Sequence, residues 1–412
     1  MNTGDTGFML ICAALVMFMT PGLAFFYGGL VRRKNVLNTM MMSMFIIGLS
    51  GALWIFCGYS LSFSGDGMFL GNLKEFCLNG LGMDVGTYSD TIPAYVFVVF
   101  QMMFALITPA LITGSVAGRM RFKALFLFIL LWLFVVYYPL AHMVWGHGGF
   151  LGEVLGSVDF AGGNVVHISS GVSGLVLALM LGKRRGYANS SYRTHNVPFV
   201  ILGASMLYFG WLGFNAGSAL GANGLAAHAF VTTVTSASMG MLGWMAVELF
   251  KEGKPTAVGA STGLVLGLVA ITPGAGFVPV WASFIIGALV SPLCYFMMSY
   301  VKAKLGYDDA LDAFGCHGVG GIWGGIATGL FAKSSINSVA RWDGLFFGDW
   351  HLFAAQLLSI VITIALAAVG TFVCASLVKL VCPLRVDEKT ERMGLDRGEH
   401  GEEAYPTFSG LD

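Results

Sequence analysis

His167 and His317 lie in apolar, glycine-rich sequence, each eight residues after an aspartate (Asp159, Asp309) and four before a glycine (Gly171, Gly321). A neutral imidazole offers one donor and one acceptor nitrogen, so two of them in register can hold a small polar molecule or pass a proton. Either histidine alone reads more simply as a packed side chain bonded to nearby backbone; the matched pair argues for a site. Trp145, Phe104, Trp211, Phe214 and Ser218 add a second chemistry. Ring faces attract a small cation and a hydroxyl supplies one acceptor, although most aromatics in such sequence are core or interfacial residues. Asp159 precedes Gly-Gly-Asn and reads first as a helix N-cap whose charge favours a nearby cation even without contact. Asp309 and Asp312 admit the same capping role. No HExxH motif or carboxylate cluster accompanies His142, His147, His167 and His317, which argues against a metalloenzyme; neither metal nor cofactor is expected.

The elements that must position these residues follow from composition. With 56% apolar and 11% charged residues in 412, the chain reads as an integral membrane protein. A crossing helix needs about 20 mostly apolar residues. Eleven such stretches occur, near 8–30, 37–63, 93–117, 124–144, 164–182, 197–219, 226–250, 256–273, 277–300, 314–332 and 353–382. Basic residues test their sidedness, because inner loops are rich in Lys and Arg. Starting the first helix outside puts 19 of the 22 basic residues inside, Arg193 among them, and only Lys74, Lys333 and Arg341 outside. The N-terminus is then outside and the C-terminus inside. The net formal charge of zero leaves no basic domain and no reason to expect nucleic acid. Nothing before the first span has the form of a signal peptide. Six of the seven cysteines fall in spans and only Cys77 in an outer loop, so they read as small buried residues.

Helix five runs inward and helix ten outward, so the two Asp-to-His steps are related by inversion. Eight residues advance about 12 Å, nearly half of a ~30 Å hydrocarbon core, which brings both imidazoles to the same depth. Helices one to five and six to ten then form two inverted halves, a transport architecture with its site at the midplane, and helix eleven is an addition. Ionisable residues at that depth mark a pathway. Many of the 57 glycines lie within spans, as in the run from Gly315 to Gly329, where they let helices pack closely. The tail after Pro383, VDEKTERMGLDRGEHGEEAYPTF, is too polar to build a core and reads as a cytoplasmic arm.

Five ordered segments carry a resemblance: TPGLAFFYGGLVRRKNVLN, FQMMFALITPALITGSVAGRMRF, DFAGGNVVHISSGVSGL, GWLGFNAGSA and DDALDAFGCHGVGGIWGG. They resemble the Amt/Mep/Rh ammonium transporters, and the tail GLDRGEHGEEAY is similar to that of bacterial-type Amt proteins. The resemblance implies that Trp145, Phe104 and Ser218 form an outer ammonium site with Asp159 beside it. It further implies that Phe104 and Phe214 form a gate, and that His167 and His317 are the pore histidines. The stretch between Trp145 and Asp159, with His147, departs from the family pattern. A transmembrane domain over 1–382 and a regulatory tail over 383–412 are expected, in a multi-pass protein of the cytoplasmic membrane. The family further implies a homotrimer and a PII-type signal protein on the cytoplasmic face. Expected activity is ammonium transport with charge movement, the alternatives being a passive ammonia channel and an ammonium sensor. Sensors on this fold usually carry a signalling domain, whereas a short tail follows here.

Overall fold

The computed structural model describes residues 1–187 and 194–405, so Arg193 and residues 406–412 lie outside the described residues. The apolar stretches fold as helices: α1 (Thr3–Leu30), α2 (Val36–Leu53 running on through Tyr59–Phe63), α3 (Ala94–Val116) and α4 (Phe122–Trp132 running on through Tyr138–Trp145). They continue as α5 (Gly163–Ile168, then Ser169–Leu181), α6 (Val197–Gly217), α7 (Gly224–Glu252) and α8 (Ala257–Ile271). The last are α9 (Val280–Phe296 running on through Lys302–Leu305), α10 (Phe314–Gly318, then Val319–Phe331), α11 (His351–Val381) and a short α12 (Glu388–Met393). Among the described residues nine helices are long and apolar enough to cross a bilayer. The 15-residue α8 and the glycine-rich α10 fall outside that group, so eleven crossings and their orientation belong to the proposal below. Phe18, Phe209, Phe230, Phe284 and Phe372 are exposed on the helix bundle, where lipid, unlike water, accepts an apolar surface.

α1 begins at Thr3 rather than near residue 8 because Asn2 fastens its first turn. The Asn2 Oδ1 accepts from the Asp5 N–H at 3.1 Å, and its own N–H donates to Thr91 O at 2.7 Å. The loop before α3 forms a two-stranded ribbon, β1 (Val85–Gly86) against β2 (Ser89–Pro93). α6 is capped in the same way as α1: Asn196 Oδ1 accepts from Phe199 N–H at 3.0 Å. These two first helices of the halves pack along each other so closely that a Cβ on Gly203 would strike the Phe26 backbone and the Gly22 carbonyl. The fifth helices of the halves, α5 and α10, also pack together, while α11 lies against α4, α5 and α10. Contact between like-numbered helices is compatible with two repeated halves.

The tail differs from a free arm. Leu395 is buried and its N–H donates to Asn35 Oδ1 at 2.9 Å. Asp396 Oδ1 accepts from Asn38 N–H at the start of α2, and Glu399 Oε2 from Phe122 N–H at the start of α4, both at 2.8 Å. First-turn amides of a helix have no partner within it, and these carboxylates supply one. Docking of this kind is polar, so apolar content does not reveal it. Between α9 and α10, Asp308 is wholly buried in its side chain and pairs with Arg184 at 2.7 Å. Burial alone raises its pKa, but the Arg184 bonds prevail and hold the carboxyl below its ordinary range.

Candidate functional site

Trp145 closes α4 and points its indole N–H at the Asp159 carbonyl, 2.8 Å away. Its ring meets Phe104 of α3 edge-on, with centroids 5.8 Å apart. Phe104 in turn stacks on Phe214 of α6 at 4.2 Å, the planes only 20° apart. Ser218 caps the C-terminus of α6 and donates to Phe214 O at 2.9 Å, which leaves its oxygen lone pairs for a donor. Trp145, Phe104, Ser218 and Asp159 line one vestibule of about 440 Å³. The sequence therefore named residues that do come together.

Asp159 serves its own helix. Oδ1 accepts from Gly162 and Gly163 at 2.8 and 2.6 Å, and Oδ2 from Asn164 and Val165 at 2.7 and 3.4 Å. A carboxylate has about four acceptor sites, and four amides occupy them. The group contributes a fixed negative charge at the vestibule floor, and its carbonyl anchors Trp145. Asp309 repeats the arrangement at the start of α10, accepting from Ala313 and Phe314 at 3.2 and 2.8 Å. Asp312 instead bonds Lys302 at 2.7 Å and has a positive φ of 58°.

Beneath the stacked phenylalanines, the two imidazoles face each other. Nδ1 of His167 and Nδ1 of His317 are 3.3 Å apart, with ring centroids at 5.3 Å. One Nδ1 must donate and the other accept, so the two neutral rings hold opposite tautomers. His167 Nε2 is buried without a partner among the described residues. Trp211 stacks on His167 at 5.3 Å and is itself fixed by an indole bond to Thr272 Oγ1 at 2.9 Å. Both histidines, Trp211, Phe214, Leu23 and Leu207 border a narrow cavity of about 10 Å³, close to the least that holds one water.

Backbone contact sets this spacing. A Cβ on Gly171 would collide with Gly318, and one on Gly321 would stand 3.0 Å from the His167 Cβ. Each glycine that follows its histidine by four residues thus seats the other helix at the level of that helix's histidine. The turns that carry both histidines, Gly163–Ile168 and Phe314–Gly318, are π-helical, a widening common at functional sites.

Sequence reasoning missed Gln101, Leu220 and Thr272. Gln101 and Leu220 line the vestibule, and Gln101 Oε1 is buried without a partner among the described residues. The only sequence signal for Leu220 is its place in a glycine-flanked turn, where φ is 56°. The other histidines turn elsewhere. His147 stacks on Tyr88 at 4.5 Å and lies 3.5 Å from Glu153 on the vestibule rim, while His142 is buried between the carbonyls of Ser62 and Gly67.

Residues 7–405 match the Ammonium Transporter Family. An ammonium transporter of Bacillus subtilis is 52% identical over 405 residues, covering 98% of this chain and 99% of its own length. One of Aquifex aeolicus is 49% identical, over 98% of this chain and 94% of its own. Among solved structures, Saccharomyces cerevisiae Mep2 superposes with a TM-score of 0.86 at 35% identity, over 94% of this chain and 88% of that one. A structure described as a sensor Amt protein gives 0.86 at 26% identity, over 96% and 98%. Sequence and structure together place this chain in the ammonium transporter family, as a multi-pass membrane protein.

Proposed function

We propose that the chain binds ammonium in the vestibule of Trp145, Phe104, Ser218 and Asp159, removes its proton there, and conducts ammonia past Phe104 and Phe214. A bare ion would lose tens of kcal/mol of hydration in an apolar passage in the isolated-ion limit, so splitting ion into neutral molecule and proton lowers the barrier. Ring faces and the Ser218 oxygen hold the cation; the fixed charge of Asp159 offsets part of its lost hydration. The observation that carries this reading is the imidazole pair 3.3 Å apart beside a void of one-water size. The void fits ammonia stripped of its shell, and the paired nitrogens offer both a donor and an acceptor. The proton travels separately along the imidazoles, so charge crosses with each ammonia.

We further propose eleven crossings of the cytoplasmic membrane, N-terminus outside and C-terminus inside, with residues 1–382 as the transport domain and 383–412 as a regulatory tail. We propose a homotrimer regulated at its inner face by a PII-type signal protein; tail contacts at the starts of α2 and α4 support coupling to the bundle. A sensor reading has one observation in its favour, the likeness to a sensor Amt protein. An ammonium jump on a solid-supported membrane tests the main reading. A transient current accompanying uptake is expected; uptake with no current would replace it with a passive ammonia channel, and neither uptake nor current would favour the sensor.

A further inference from the structure

We infer that the face carrying the docked tail holds a binding site for a phosphate-type oxyanion, in the cavity between the tail and the ends of α1 and α3. This cavity of about 160 Å³ is lined by Arg32, Lys34, Arg184, Arg185 and Arg392, with Glu391 as the single carboxylate in its wall. It has several times the space that one water needs. Basic loops on an inner face need only be solvated to satisfy the charge rule for membrane proteins. Here five cations from three separate segments converge on one enclosed space. Arg184 is matched by Asp308 behind the wall and Arg185 by Glu388. Glu391 also serves Arg385, at 2.7 Å. The remaining carboxylate charge is therefore shared with a cation outside the cavity, and the wall stays positive.

Two further features favour an oxyanion as the occupant. Arg119 follows the wall residue Gly118 without lining the cavity itself; it is wholly buried, its Nη2 donates to the Asp308 carbonyl, and its Nε and Nη1 have no partner among the described residues. Unpaired donors of a buried cation are costly and call for an acceptor. Guanidinium forks with a lysine match a tetrahedral group that has several acceptor oxygens and up to two charges, better than a single carboxylate. Such a group would join the tail, through Arg392, to Arg32 and Lys34 before α2 and to the loop after α5. Lys34 already donates to the Arg392 carbonyl, so the tail lies within reach. The site shares no lining residue with the vestibule or with the void beside the histidines.

Hydrogen exchange at the Gly394 and Leu395 amides tests it, on the full chain in zwitterionic nanodiscs titrated with orthophosphate at ionic strength fixed by chloride. Exchange should slow about tenfold when phosphate reaches roughly ten times its Kd. Lys34→Gln and Arg392→Gln should each abolish the response. Arg392 is exposed on the tail, so its replacement leaves the helix bundle folded even if Lys34→Gln does not. A second arm uses phosphatidylglycerol nanodiscs without phosphate. Slowing there that both variants abolish assigns the phosphate group to lipid and supports the site. No slowing in either arm, or equal slowing in Arg392→Gln, overturns the proposal.

Discussion

Replacing Gly171 by alanine tests whether contact between α5 and α10 sets the histidine spacing. The new Cβ would stand 2.6 Å from the Gly318 Cα and 3.0 Å from the His317 carbonyl carbon. Carbon atoms rest about 3.5–4.0 Å apart, so the helices must separate by roughly 1 Å. The Nδ1 to Nδ1 distance, now 3.3 Å, would then exceed about 4 Å and the hydrogen bond would be lost. That bond is worth about 0.5–1.5 kcal/mol net, so uptake in proteoliposomes should fall roughly two- to tenfold. Overpacking should also lower stability by about 1–3 kcal/mol. Gly48→Ala is the control, since no atom lies within 4 Å of its Cβ position; it should transport normally. If Gly171→Ala transports at the parent rate, the histidines are not positioned by this crossing and the reasoning fails.

Three other outcomes follow from the geometry. Asp159→Ala removes the acceptor for four amides and should cost about 1–2 kcal/mol in thermal or denaturant stability. Asp159→Asn keeps one acceptor oxygen and should fall between; equal stability of Ala and parent would remove the cap from the account. Trp145→Leu should raise the KM for ammonium roughly two- to thirtyfold, matching about 0.5–2 kcal/mol of cation–π attraction, with the maximal rate less affected. An unchanged KM would place ammonium elsewhere. Truncation at Pro383 removes the tail acceptors at α2 and α4 and should reduce both uptake and PII-type binding; no change in either would end the regulatory reading.

Much of the fold was legible because lipid imposes long apolar runs, and the helix edges agree within a few residues. α1 departs because Asn2, a polar residue outside the apolar run, starts the helix. Asp159 and Asp309 were legible as caps from their place before helix starts, and the matched histidine steps brought His167 and His317 together. The stacking of Phe104 on Phe214 was accessible only through family resemblance, since no local pattern links residues 110 apart in sequence. Gln101 lies inside one of the family-like segments and Leu220 beside a glycine, but nothing local in the sequence assigns them or Thr272 a role. Their roles come from which helices meet, and helix contacts in lipid rest on small residues rather than on an apolar stripe. The family resemblance implies a tail docked on neighbouring subunits; its docking on the chain's own helices was not legible, because those contacts are polar bonds to first-turn amides, which composition does not record.

The most direct test of the central claim is the charge carried per ammonium taken up by proteoliposomes, compared between the parent and His167→Ala. The account predicts about one charge per molecule in the parent, and a loss of that coupling or of discrimination against potassium in the variant. An unchanged ratio, rate and selectivity in His167→Ala would contradict it.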